Sequence, residues 1–101
     1  MNNGISQESS TKLINLFKKT NNLTEVKLYG SRALGTYKEW SDIDISIMDN
    51  EFSADDLLQL SNNIDDLLIP YKVDISIFKK LDNVDLIKHI NNHGVTFYKK
   101  N

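Results

Sequence analysis

Two short stretches limit what this chain can fold into more than any other part of it. Asp42-Ile43-Asp44-Ile45-Ser46-Ile47 alternates polar with apolar residues at every step, and the string Asp-Ile-Ser-Ile returns at Asp74-Ile75-Ser76-Ile77. Alternation with period two is the pattern of a strand with one face in a core. Four residues of strand-type composition recur easily, so the strings do not make a repeat. They suggest two neighbouring strands presenting similar faces. Asp42 and Asp44 then project to one side while Ile43, Ile45 and Ile47 enter the core.

Helical signals surround these strands. A helix is expected from Ser9 or Ser10 to Lys19, with Leu13, Ile14, Leu16 and Phe17 as its apolar face and Thr20-Asn21-Asn22 as its end. Val26, Leu28 and Tyr29 read as a short buried strand that delivers Gly30 and Ser31 to a turn, and Arg32 to Leu34 begin a short helix. Ser53 with Asp56 three positions later marks another helix start. Leu57, Leu60, Ile64, Leu67 and Leu68 continue it as core residues, and Pro70 stops it before a strand from Tyr71 to Phe78. Asp82 and Asp85 open a last helix carrying Leu86, Ile87 and Ile90, with Gly94 as its C-cap. Val95 to Tyr98 either adds a short strand or packs back, and Met1 to about Gln7 is a loose start. The order α-β-α-β-α-β-α predicts an α+β fold, a small mixed β-sheet packed with helices. At 101 residues this is one domain, residues 1–101, with little chain to spare for a second, substrate-binding unit.

Composition narrows the function. The chain has no cysteine, which removes disulfides, thiolate nucleophiles and Cys-based zinc sites together. A formal charge of −2 argues against a dedicated nucleic-acid-binding module, which would carry a basic stripe. The longest apolar runs fall far short of a membrane span and the N-terminus lacks a signal pattern, so a cytoplasmic location is the default expectation.

Asp42 and Asp44, two apart on a strand, stand roughly 6–7 Å from each other at the backbone. At an effective dielectric near 20 two such charges repel by about 2–3 kcal/mol. A cation relieves that repulsion, and oxygen-only ligands suit Mg²⁺. Asp74, on a strand beside the first, would complete a two-ion site. Taken alone, an Asp-x-Asp pair is more often solvated charge on an edge strand. The preceding turn changes the balance. Gly30 allows a tight bend and close approach of phosphate oxygens to the backbone. Ser31 offers its hydroxyl and amide at the start of the short helix, and Arg32 either offers its fork to a phosphate or supports the loop.

With these residues in place a resemblance becomes visible. Gly30-Ser31-Arg32-Ala33-x-Gly35 followed by Ser41-Asp42-Ile43-Asp44 resembles the signature of the polymerase-beta-type nucleotidyltransferase superfamily, and more closely its minimal nucleotidyltransferases, the MNT proteins. Pro70-Tyr71-x-Val73-Asp74 is similar to the family's third carboxylate strand, and Gly94-x-x-Phe97-Tyr98 to its usual ending. Relatives often carry Arg or Lys one step before the second glycine, where this chain has Leu34. The resemblance implies that Asp42, Asp44 and Asp74 hold metal, with Asp74 also helping to deprotonate an acceptor hydroxyl. Gly30 and Ser31, with Arg32 and Ser41 beside them, would bind the nucleotide. It further implies two Mg²⁺ ions, ATP as donor, and a small helical HEPN-type protein as partner. The chain would then be an antitoxin that adds AMP to a tyrosine of its toxin. Two alternatives stand beside this. One is the same chemistry on a small molecule such as an aminoglycoside; the other is an antitoxin that neutralises by binding alone. A homo-oligomer also stays open.

Other residues have plainer expectations. Trp40 and Tyr37 are expected to cover the loop rather than stack on a base. His89 and His93, four apart on the last helix, are assigned to the helix surface or to the dipole at its C-terminal end, not to a metal. Lys72, Lys79 and Lys80 are read as solvated charge.

Overall fold

The computed structural model describes residues 3–101. Helix α1 (Gln7–Lys19) starts at Ser6, whose hydroxyl accepts the Ser9 N–H, and buries Leu13 and Phe17. Strand β1 (Glu25–Tyr29) leads into the one-turn helix α2 (Ser31–Leu34), and a loop then reaches β2 (Ile43–Ile47). Helix α3 (Ala54–Asp65) connects to β3 (Val73–Ile77); a 3₁₀ turn (Phe78–Lys80), α4 (Val84–His93) and β4 (Val95–Lys99) complete the chain. The strand order is β3-β2-β1-β4. β2 and β3 run parallel while β1 pairs antiparallel with both β2 and β4, so the sheet is mixed, as predicted. Val95 to Tyr98 takes the strand option.

One face of the sheet is the core. Val26, Leu28, Ile43, Ile45 and Ile47 cluster with Leu13 and Phe17 of α1 and Leu60 and Ile64 of α3. The register between β1 and β4 slips at Val26/Lys27, opposite Tyr98 and Thr96. That bulge brings two successive aromatics to Phe17, with ring centroids 6.2 Å away for Phe97 and 5.8 Å for Tyr98. By alternation the opposite face carries Tyr29, Asp44, Ser46, Asp74 and Ser76.

Capping decides where α3 begins. Ser53 Oγ accepts the Asp56 N–H at 3.1 Å while the Asp56 carboxylate accepts the Ser53 N–H at 3.0 Å, a complete capping box. The Ser53 N–H, with a smaller contribution from the Ser53 side chain, holds the Asp56 carboxyl below the usual carboxylate range. A depressed acid adds stability above its unfolded titration range and loses it as pH falls through the folded one. Ser53→Ala is expected to cost about 1 kcal/mol, seen as a lower midpoint in thermal unfolding at neutral pH. Most of the deficit should persist in acid, because the bond from the Asp56 N–H to Ser53 Oγ does not titrate and the Ser53 N–H bond to the carboxylate is present in both proteins.

Four local expectations can be compared with the structure residue by residue. First, α3 ends at Asp65, well before Pro70, because Leu67 and Leu68 donate to residues three back and leave the α pattern. Leu68 then takes a left-handed φ of 56° and is 85% exposed, so it is not core, and neither is the outward-facing Leu58. Second, Gly94 is the C-cap of α4 as expected; its φ is −65°, and glycine is needed because a Cβ there would run into the Ile90 carbonyl. Third, β3 is shorter than the expected Tyr71–Phe78, running from Val73 to Ile77, with Phe78 already in the 3₁₀ turn. Fourth, the start of the chain is tied down from Asn3 onward. The Asn3 carbonyl accepts from Arg32, and the Tyr71 hydroxyl donates to the Gly4 carbonyl and accepts the Ser6 N–H. Met1 and Asn2 lie outside the described residues. No helix among those described is long and apolar enough to cross a membrane.

Candidate active site

The parallel register sets Asp44 directly opposite Asp74, one strand spacing of about 4.8 Å away and on the same face. Asp42 precedes β2 by one residue, and the Ile43 N–H donates to the Lys72 carbonyl, so extended pairing continues to that end. Alternation places Asp42 beside Asp44. Burial pushes the Asp44 carboxyl above its ordinary value, and the charges of Asp74 and then Asp42 add to the shift, while the Arg32 charge works against it. The three carboxylates therefore share one electrostatic neighbourhood. Asp44 is half-buried at its centre, and Asp74 is exposed on the border strand.

Gly30 is what makes room for Asp44. It has φ 73° and ψ −156°, a region that essentially only glycine occupies, and a Cβ on it would collide with Asp44 Oδ2. Its carbonyl accepts the N–H groups of Ala33 and Leu34 in α2. Its own N–H donates to His89 Nε2 at 2.9 Å. Ser31 follows as the first residue of α2, half-buried beside this bend.

Arg32 and Ser41 turn toward the loop. Arg32, the only arginine, is 2% exposed. Its Nη2 and Nε donate to the Ser41 carbonyl at 2.8 and 3.1 Å, and its Nη1 donates to the Asn3 carbonyl at 3.0 Å. The guanidinium lies 5.2 Å from the Tyr37 ring centroid and 5.0 Å from that of Tyr71. Of its two expected roles, these contacts are those of loop support. Ser41 Oγ accepts the Lys38 N–H at 2.8 Å, closing the turn that delivers Asp42.

The family described as polymerase beta, nucleotidyltransferase, matches residues 11–101. The chain belongs to this family. No curated protein matches it by sequence. Among solved structures, a toxin–antitoxin with AMP-PNP superposes with a TM-score of 0.72 at 22% identity, covering 90% of this chain and 73% of that one. A tri-AMPylated Shewanella oneidensis HEPN toxin in complex with MNT antitoxin gives 0.67 at 20% identity, covering 93% and 72%. The toxin–antitoxin MntA-HepT gives 0.66 at 20%, covering 94% and 74%. At these identities the likeness establishes the polymerase-beta-like nucleotidyltransferase fold.

The donor set of this nucleotidyltransferase fits a hard divalent cation. Among the described residues no three acidic or histidine side chains close into a ready-made metal cage. Mg²⁺ does not require one, because it keeps waters and substrate phosphate and takes only one or two carboxylates from the protein. The observation that speaks for the ion is the repulsion at Asp44. A half-buried carboxylate facing two others is held in an unfavourable charge state that a cation between them would relieve.

Several residues around the nucleotidyltransferase site carry no local sequence signal. Burial pushes the Tyr29 hydroxyl up; a hydrogen bond with the Ser76 side chain opposes this, and the Asp44 and Asp74 charges add to it. Ser76 Oγ in turn donates to the fully buried Ser46 Oγ at 3.0 Å. The repeated Asp-Ile-Ser-Ile string held that last contact, since equal strings in register place serine beside serine. His89 was assigned to the helix surface, yet it reaches Gly30 and meets the Tyr29 ring edge-on, centroids 6.0 Å apart. Tyr37 covers the loop by stacking on Arg32, whereas Trp40 is 80% exposed and covers nothing. Lys79 donates to the Asn50 carbonyl; Lys72 and Lys80 are exposed.

Proposed function

We propose that this chain transfers AMP from ATP to a hydroxyl, a tyrosine of a small helical HEPN-type partner by preference, and so acts as an antitoxin. The observation that carries the reading is the in-register pair Asp44 and Asp74, with Asp42 alongside and Gly30 opening the space above Asp44. Solved toxin–antitoxin neighbours of the same fold, one with AMP-PNP and one with an AMPylated toxin, support the donor and partner.

In this reading Asp42, Asp44 and Asp74 would share two Mg²⁺ ions between them, which would neutralise triphosphate charge and favour the ionised acceptor. Ser31 and the bend at Gly30 seat the β- and γ-phosphates, and Arg32 keeps the loop before Asp42 in place. The acceptor oxygen bonds to the α-phosphorus as the bond from that phosphorus to the bridging oxygen breaks, and pyrophosphate leaves. The hydroxyl proton passes to Asp74. Being exposed at the sheet border, Asp74 is the carboxylate that an acceptor on another protein can reach. Catalysis rests chiefly on positioning and charge neutralisation.

The test combines the purified chain, a HEPN-type partner encoded beside it, Mg²⁺ and each nucleoside triphosphate, followed by intact mass measurement of the partner. The expected result is a gain of one or more AMP masses with ATP and Mg²⁺, absent when the metal is chelated. Neutralisation of the partner without any mass gain would instead establish the binding-only reading.

A further inference from the structure

We propose that His89 is a positioning residue of the transfer site. Through Nε2 it holds the Gly30 N–H, and so fixes the peptide against which the Asp44 carboxylate is seated. Activity enters this inference through the transfer reading above; the clamp itself does not depend on it.

Gly30 adopts a backbone conformation that essentially only glycine occupies, and with no side chain of its own it is held there by what its peptide groups bond to. Its carbonyl is fixed locally, by Ala33 and Leu34 in α2. Its N–H is fixed from 59 residues away, by the 2.9 Å bond to His89 on α4. A flip of the Tyr29–Gly30 peptide would turn the Gly30 N–H away from α4 and change the φ at which Gly30 leaves room for Asp44 Oδ2. The bond to α4 opposes that flip.

His89 is itself held in place. Its ring meets that of the buried Tyr29 edge-on, with centroids 6.0 Å apart. Contact therefore runs from β1 through the imidazole to the bend. Accepting at Nε2 requires a neutral ring with its proton on Nδ1. In that state the Nε2 lone pair is committed, so His89 is not available as a metal ligand through it. The same bond means that the Gly30 N–H is not a phosphate donor in this conformation, which leaves the Ser31 amide and hydroxyl as the donors nearest the bend.

Comparing His89→Phe with His89→Gln tests the clamp. Phenylalanine keeps a ring against Tyr29 but accepts no hydrogen bond; glutamine restores an acceptor at a similar reach. In His89→Phe, kcat for transfer is expected to fall about tenfold to a hundredfold, as for a small displacement of a reacting group. KM for ATP should change less than kcat, because Asp44 acts mainly on the transition state. Amide exchange followed by NMR should show faster exchange at Gly30 in His89→Phe, and His89→Gln should recover both readouts. Should His89→Phe not fold, His89→Met against His89→Gln repeats the comparison with two flexible chains that differ in the acceptor. Unchanged kcat, or unchanged Gly30 exchange, in a folded variant without the acceptor overturns the proposal. If wild type transfers nothing, the functional reading falls while the exchange comparison still decides the clamp.

Discussion

Asp44→Asn is expected to abolish transfer and, in the metal-free protein, to raise the unfolding temperature. The two effects share one cause. Asp44 is half-buried, with Asp74 one strand away and Asp42 two residues back, and no hydrogen bond within the described residues compensates its charge. Two unit charges about 5 Å apart repel by roughly 3 kcal/mol at an effective dielectric of 20. Solvent around the exposed Asp74 screens much of this, leaving about 1 kcal/mol. For a domain of this size that corresponds to a rise of roughly 4–8 °C.

The pH dependence has a definite sign. A carboxyl raised in the folded state binds its proton more tightly folded than unfolded. Its penalty is absent below the ordinary carboxylate range, sets in as pH rises through that range, and is complete above the raised folded value. The stabilisation by Asp44→Asn should therefore be largest near neutrality and vanish in acid. Mg²⁺ should reverse the ranking by binding the folded wild type more tightly than the variant. Loss of transfer should reach at least about 10²–10³-fold, the range seen when a single preorganised electrostatic group is removed. Thermal unfolding across pH, with and without Mg²⁺, checks the stability arm. A variant less stable than wild type at neutral pH without metal would show that Asp44 is not under charge stress, leaving no repulsion for a cation to relieve.

Gly30→Ala should be the most damaging single methyl in the site. Strain at φ 73° and ψ −156° contributes about 1–3 kcal/mol, and the new Cβ is driven into Asp44 Oδ2. Asp44 must move, so transfer should fall as far as in Asp44→Asn, but with a lower unfolding temperature instead of a higher one. A double-mutant cycle separates strain from collision. In an Asp44→Ala background the carboxylate is gone, and the nearest remaining atom, the Asp44 Cβ, would lie 3.5 Å away, an ordinary contact. The cost of Gly30→Ala should then shrink to the backbone part alone. Additive unfolding energies would mean that the carboxylate is not seated where Gly30 leaves room.

What could be read from sequence was whatever is encoded within a few residues. Alternation around Ile43 to Ile47 fixed which side Asp42 and Asp44 share, and the matching string at Asp74 pointed to a neighbouring strand. Ser53 and Asp56 announced a capping box because both partners lie in one turn. Contacts that close over long separations left no such trace. Nothing around His89 indicates that it faces Gly30, since its neighbours Lys88 and Ile90 fit any amphipathic helix. Arg32 illustrates an intermediate case: its place in the motif was visible, but its bonding to the Asn3 and Ser41 carbonyls depends on where two other segments arrive. Leu68 was assigned by helical spacing, which carries no sign that the chain leaves the α pattern before reaching it.

The third carboxylate stands exposed on β3, the outermost strand of the sheet. Under the proposed transfer, choice of acceptor is written mainly on whichever protein covers that border. A different companion could re-address the chemistry without one substitution in this chain.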